Sequence, residues 1–154
     1  MNRLEKWLIF WTLFIGIGAL WGTFMMWYDP SGELFGLSAV LPYLQALPFA
    51  DFFFKDFKWS GLALLLVNGI SQLLAALLLI RRHKFAPVAT LACGLLLIFW
   101  IIAQFVIFPL NILSIVYFIF GVTEFVLAWR LIVSRRKNKQ NQPHPHDDMF
   151  NQLK

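Results

Sequence analysis

Four polar side chains within otherwise apolar sequence are the residues that could carry chemistry in this chain. Glu124 is an acid in one apolar stretch, and Asn68, Ser71 and Gln72 lie in another. The last three follow the spacing i, i+3, i+4, which places them on one face of a helix. An ionised carboxylate facing lipid costs at least ~2.5 kcal/mol. We therefore expect Glu124 to face other helices, to pair with a polar group or to be protonated.

These side chains are expected to meet inside a bundle. The two helices that carry Glu124 and Gln72 are both predicted to run towards the cytoplasm, and the two residues lie at the same distance from the predicted inner ends. The sequence therefore predicts a polar centre of Glu124, Gln72 and Ser71, with Asn68 one turn further out and Thr12 one turn further in. This centre either fixes helix register through buried hydrogen bonds, or binds a small polar group or relays a proton through Glu124.

Gln104 is predicted to lie near the outer end of the third long apolar segment. Two roles fit this position. Its amide could line a pocket beneath the first long connection of the chain, or it could cap the backbone of that connection. Both roles place Gln104 apart from the polar centre.

Several classes of site are not expected. A single acid without an aligned basic partner does not make a hydrolytic site, and a lone Cys93 excludes an internal disulfide. The segment from His144 to Asp148 has metal-donor atoms, but it lies in a polar tail without recognisable ligand spacing, so no metal site is predicted. The formal net charge is +5, and the basic residues lie at the ends of apolar segments. This position indicates a role in membrane topology rather than nucleic-acid binding.

The composition is that of a membrane protein. Of the 154 residues, 60% are hydrophobic and 14% are charged, and mean hydropathy is +0.70, whereas soluble domains contain about a quarter charged residues. Four apolar runs are long enough to cross a membrane as helices. They predict an all-α integral membrane bundle of four helices at about residues 7–28, 59–80, 86–107 and 111–133. Residues 134–154 are predicted to form a polar, disordered tail.

The first connection, residues 29–58, is too apolar for a free loop and is divided by Pro42 and Pro48. It predicts one or two short interfacial helices outside the membrane. Lys and Arg number 11 on the amino end, second connection and carboxyl tail, against 2 on the other two connections. The positive-inside rule then predicts a cell-membrane protein with both termini in the cytoplasm.

Glycines mark expected helix contacts. Gly18 and Gly22 form a GxxxG pattern with Gly16 just before it, and Gly121 lies on the face of Glu124. Small residues let helices approach closely. The pattern in the first helix predicts either packing within the chain or dimerisation.

The second and third helices resemble the DoxX-like group of small four-helix membrane proteins. The resemblance lies in residues 64–79, the basic pair Arg81–Arg82 and Pro48–Phe49. It implies a four-helix architecture and, because some relatives are linked to quinone-dependent oxidation, an accessory role near a quinone. Members commonly have an acid in the second helix, whereas this chain has Asn68 and Gln72 there, so no catalytic residue is carried over.

The expected function is binding rather than catalysis. The chain would be an accessory or binding component for a partner protein, a lipid or a small hydrophobic ligand in the bilayer, alone, with a membrane-protein partner or as a homo-oligomer. A subunit of a quinone-linked oxidoreductase is one alternative. Passage of a proton or small solute past Glu124 is another, although four helices leave little room for an aqueous path.

Overall fold

A computed structural model describes residues 3–53, 55–107, 109–110 and 112–140, and regular secondary structure in these ranges is helical throughout. The helices are α1 (Arg3–Tyr28), α2 (Leu41–Gln45), α3 (Ala50–Phe53), α4 (Lys58–Ile80), α5 (Ala86–Ile107) and α6 (Ile112–Gln140). Helix α4 contains a π-helical segment, Leu65–Ile70, between two α-helical parts.

Within the described ranges, α1, α4, α5 and α6 are the four helices long and apolar enough to cross a membrane. The predicted all-α, four-helix architecture is therefore confirmed. Helix α6 continues through residues 134–140, which the sequence had assigned to the tail. This extension is reasonable because Arg and Lys favour helices and no proline occurs before Pro143. Residues 141–154, including the segment from His144 to Asp148, lie outside the described residues, as does Asn111.

The four long helices form a closed ring in which each packs beside two others. Helix α1 packs against α4 and α6, and α5 packs against α4 and α6. Helices α4 and α6 therefore face each other across the bundle. Large apolar side chains such as Phe10, Trp21, Phe99 and Ile119 remain exposed on the outer surface, where lipid would contact them.

Two apolar clusters fill the interior at different levels. The first cluster consists of Leu8, Leu79, Ala86, Ala128 and Leu131, all of them buried. The second cluster is built around Ile15, Leu97 and Ile101. Both bury side chains from several helices and hold the ring together.

The first connection is folded onto one end of the bundle, which we call the outer end, and contains the two short helices α2 and α3, as expected from its composition. Phe57 is its main anchor, with an exposed fraction of 2%, and its backbone N–H donates to the carbonyl of Pro30 (3.1 Å). Trp27 Nε1 donates to the carbonyl of Lys58 (3.1 Å). These bonds fix the outer ends of α1 and α4 relative to the connection.

Candidate functional site

A buried polar pair joins the two helices that face each other across the bundle. Gln72 Nε2 on α4 donates to Glu124 Oε2 on α6 at 2.8 Å, and neither residue has exposed surface. Gln72 Oε1 and Glu124 Oε1 are buried, and no described residue forms a hydrogen bond with either atom. The structure thus brings together the two residues that the sequence placed at one depth.

The hydroxyl groups of the expected polar centre are satisfied elsewhere. Ser71 Oγ donates to the carbonyl of Val67 in its own helix, and Thr12 Oγ1 donates to the carbonyl of Leu8 (2.9 Å). A Ser or Thr side chain in a helix reaches the carbonyl four residues earlier, so neither needs the centre. The backbone carbonyl of Ser71 accepts from Cys93 Sγ at 3.5 Å, which places Ser71 beside α5 instead.

The glycines of α1 make close contacts within the chain. A methyl group at Gly16 would lie 3.3 Å from Gln72 Cβ, one at Gly18 would lie 2.6 Å from Tyr117 Oη, and one at Gly22 would lie 2.9 Å from Leu64 Cδ2. Gly16 therefore lies at the level of Gln72 in the polar pair. Of the two roles expected for the GxxxG pattern, these contacts favour packing within the chain.

Helices α5 and α6 approach each other most closely at two glycines. A methyl group at Gly94 would lie 2.9 Å from the backbone nitrogen of Phe125, and one at Gly121 would lie 3.0 Å from Ile98 Cγ1. The sequence identified Gly121 but not Gly94. Backbone-to-backbone contact at Gly94 leaves no room for a side chain.

Two neighbouring cavities lie in the outer half of the bundle, beneath the first connection. The larger, of about 560 Å³, separates the outer ends of α4 and α5. The smaller, of about 300 Å³, reaches inward between α1 and α6. They share the lining residues Met26, Leu37, Leu64, Trp100, Gln104, Leu113 and Ser114. We call the two together the outer chamber.

Few polar groups face the outer chamber. Gln104 Oε1 accepts from Ser114 Oγ at 3.1 Å, and both residues line both cavities. Of the two roles expected for Gln104, this position corresponds to the pocket. Ser60 lines the larger cavity, and Asn68 and Tyr117 line the smaller one.

Asn68 has an exposed fraction of 1%. Among the residues that the structure describes, neither Asn68 Nδ2 nor Asn68 Oδ1 has a hydrogen-bond partner, and Ser60 Oγ is also buried without one. Asn68 lies in the π-helical segment of α4, and segments of this kind often occur at functional sites. Both residues line the chamber with buried polar atoms that could form hydrogen bonds.

The described residues that line the outer chamber include no Asp, Glu, Lys, Arg or His. Its wall is made mainly of aliphatic and aromatic side chains. Small-molecule sites commonly have volumes of ~300–1,000 Å³ and apolar walls with a few placed polar groups. The chamber therefore has the size and chemistry of a site for an uncharged apolar molecule.

An ion pair links the first and last long helices at the opposite end of the bundle. Arg135 Nη2 lies 2.9 Å from Glu5 Oε1, and Glu5 is mostly buried. From the sequence, Arg135 counts only as one of the basic residues that predict topology, and Glu5 has no predicted role. Because the two residues are 130 positions apart in the sequence, no local sequence pattern predicts their contact.

Metal binding has no candidate here: in the part of the chain that the structure describes, no group of three or more His, Cys, Asp and Glu residues could hold a metal ion. No protein-family model, curated protein or solved structure matched the chain.

Proposed function

We propose that this protein binds a small hydrophobic molecule or a lipid chain in the outer chamber, as a non-enzymatic binding component of the membrane. The observation that carries this proposal is the chamber itself. Its cavities of about 560 and 300 Å³ adjoin each other and have uncharged walls. A void lined by apolar groups forfeits van der Waals contacts that an apolar occupant would restore.

The position of the chamber supports a ligand that arrives from the bilayer. Its larger cavity lies between the outer ends of two helices whose other faces are apolar and exposed. The first connection covers it, with Leu44 and Phe57 both buried and both in the lining. An apolar molecule dissolved in lipid would lose little on entering.

The quinone-linked alternative receives partial support. Gln104 lines the chamber and could donate to a quinone carbonyl, while Gln72 is engaged with Glu124 and is not among the lining residues. Conduction past Glu124 is supported less, because Glu124 is fully buried and lines neither cavity. Binding in the chamber is therefore the function we put forward.

An accessory role beside a partner protein or a second copy would require another surface. The glycines of α1 do not supply it, because Leu73, Tyr117 and Leu64 lie against them. Aromatic side chains on the exposed face of α1, including Trp7, Phe10 and Phe14, are the surface we assign to lipid or to such a partner.

We also propose that the protein resides in the cell membrane with both termini in the cytoplasm. The basic ends of the chain support this orientation. So does the contact between Glu5 and Arg135, which holds the beginning of α1 near the end of α6. Reporter fusions at each terminus and in the first connection would test it. An extracytoplasmic carboxyl terminus would overturn it.

Chamber binding can be tested with a photoactivatable probe, a long-chain alkyl diazirine methyl ester, added to the protein in nanodiscs. We expect saturable labelling of residues that line the chamber, located by mass spectrometry. Two variants fill the larger cavity, Ala63→Trp and Ala103→Trp, since both alanines line it. Each should reduce this labelling at least several-fold.

The matched control is Ala92→Trp, which adds the same bulk on an exposed face of α5. It should label as the wild type does. Thermal unfolding of each variant would identify any that has not folded. Labelling restricted to the outer surface, or unaffected by filling the cavity in folded variants, would overturn the proposal.

A further inference from the structure

The unpartnered amide of Asn68 limits what can occupy the outer chamber. Asn68 has an exposed fraction of only 1%, and both its polar atoms lack hydrogen-bond partners within the described part of the chain. An unsatisfied polar group in a water-free membrane interior costs several kcal/mol. A ligand that bonds both atoms would remove this cost.

The amide presents two different groups side by side. Nδ2 donates hydrogen bonds and Oδ1 accepts them. A ligand head satisfies both only if it carries an acceptor and a donor next to each other. Primary amides and protonated carboxylic acids carry the donor and the acceptor on two atoms and so match Oδ1 and Nδ2 one to one, whereas a hydroxyl offers both on a single atom. An ester or a quinone has acceptors alone and would leave Asn68 Oδ1 unpaired.

The surroundings restrict the charge and the shape of the ligand. The described lining residues are uncharged in both cavities, and burying an isolated charge is very costly. The head must therefore be neutral. Asn68 lines only the smaller, inner cavity, while the larger cavity is bounded by apolar groups such as Leu44, Phe53 and Trp59, which suit a hydrocarbon tail.

We infer that the outer chamber takes a single-chain lipid with an uncharged amide or carboxylic-acid head, and that the head binds Asn68 while the tail fills the larger cavity. The inference rests on the proposed function, because it names the ligand class of the same site. The hydrogen bond from Ser114 Oγ to Gln104 Oε1 lies where the two cavities meet, beside the path of the hydrocarbon tail.

The test uses competition against the diazirine ester probe by three unlabelled lipids with the same tail: oleamide, oleic acid and methyl oleate. In wild-type protein, oleamide should compete roughly five- to 150-fold better than methyl oleate, because the ester leaves the buried Asn68 Oδ1 without a hydrogen bond. Oleic acid should match oleamide only at a pH low enough to protonate it. Competition by oleic acid should thus depend on pH, whereas competition by oleamide should not, and this difference distinguishes an acid ligand from an amide ligand.

Asn68→Leu is the decisive variant, because leucine keeps the branched shape and removes both polar groups. It should abolish the preference for oleamide and leave competition by methyl oleate unchanged or stronger. Comparing the oleamide-to-ester ratio between variants cancels the different partitioning of the two lipids into the bilayer. Ser71→Ala is the control: its hydroxyl bonds within its own helix, and the preference should persist.

Each outcome is informative. Equal competition by amide and ester in the wild type, or a preference that survives in Asn68→Leu, would overturn the inference while leaving chamber binding intact. A quinone that competes better than oleamide would also overturn it. Absence of chamber labelling by the probe would instead overturn the proposed function.

Discussion

Gln72 Nε2 on α4 lies 2.8 Å from Glu124 Oε2 on α6, and this hydrogen bond crosses the bundle between two helices that do not pack side by side. Hydrogen bonds between membrane helices contribute on average ~0.6 kcal/mol. Leaving one buried partner alone costs more, since its desolvation is no longer compensated.

We therefore expect Gln72→Leu to destabilise the protein by ~1–3 kcal/mol, because it leaves the Glu124 carboxyl without its donor. The double variant Gln72→Leu with Glu124→Leu should recover part of that loss. Reversible unfolding in mixed micelles would measure the free energies of unfolding of the wild type, of Gln72→Leu, of Glu124→Leu and of the double variant. Strictly additive effects would show that the two side chains are not coupled, and Ser71→Ala provides a control within the same helix.

Gly94 should tolerate no side chain. In Gly94→Ala the new methyl group would lie 2.9 Å from the backbone nitrogen of Phe125, and backbone cannot move aside cheaply. Overpacking of this kind costs ~1–3 kcal/mol, measured as a lower free energy of unfolding. Gly22→Ala meets only the end of the Leu64 side chain, also at 2.9 Å, and should cost clearly less. Equal losses would contradict this account.

The Glu5–Arg135 ion pair should be detectable by charge exchange. Their side chains are 11% and 32% exposed, and partly solvated pairs contribute ~0.2–1 kcal/mol. Glu5→Arg and Arg135→Glu should each destabilise the protein, and the double exchange should restore much of the loss. The coupling should weaken at high salt. Arg136→Glu, at an exposed position of the same turn, should show no such rescue.

We expect the stability of the first connection to fall at acidic pH because of Asp29. The hydrogen bond from Ser31 Oγ (2.6 Å), followed by backbone N–H groups including that of Leu34, lowers the pKa of the Asp29 carboxyl. A lowered pKa in the folded state means that its stabilisation is present above the unfolded-state pKa and is lost as pH falls through the folded-state pKa.

The Leu34 amide resonance would report this titration, because Leu34 N–H donates to Asp29 Oδ2 (2.7 Å). Its chemical shift should change with a midpoint below that of aspartate in an unstructured peptide. Asp29→Asn should remove the transition. A midpoint at or above the peptide value would contradict the predicted shift.

The sequence predicted most of the architecture because apolar length and charge position determine it. It also predicted that Gln72 would meet Glu124, since depth in a bilayer can be counted from helix ends. It did not predict that the Ser71 hydroxyl would donate to the carbonyl of Val67 in its own helix. Long amide and carboxyl side chains have no equivalent local partner here.

Other features depend on long-range packing and have no local signal. The outer chamber exists because the outer ends of α4 and α5 diverge beneath the first connection, and no residue pattern encodes that angle. Gly94 resembles any other glycine in an apolar helix until Phe125 is placed against it. The end of α6 was predicted too early because the change from apolar to basic residues at Ser134 marks the edge of the membrane, not the end of the helix.

The π-helical segment of α4 has a geometric consequence for the whole helix. Its hydrogen bonds join residues i and i+5, so it accommodates one residue more than an α-helical turn would. One additional residue corresponds to a rotation of about 100°, which turns residues 58–64 relative to residues 71–80. In a regular α-helix, two residues four positions apart lie on the same side. Here Asn68 lines the smaller cavity whereas Gln72 bonds Glu124.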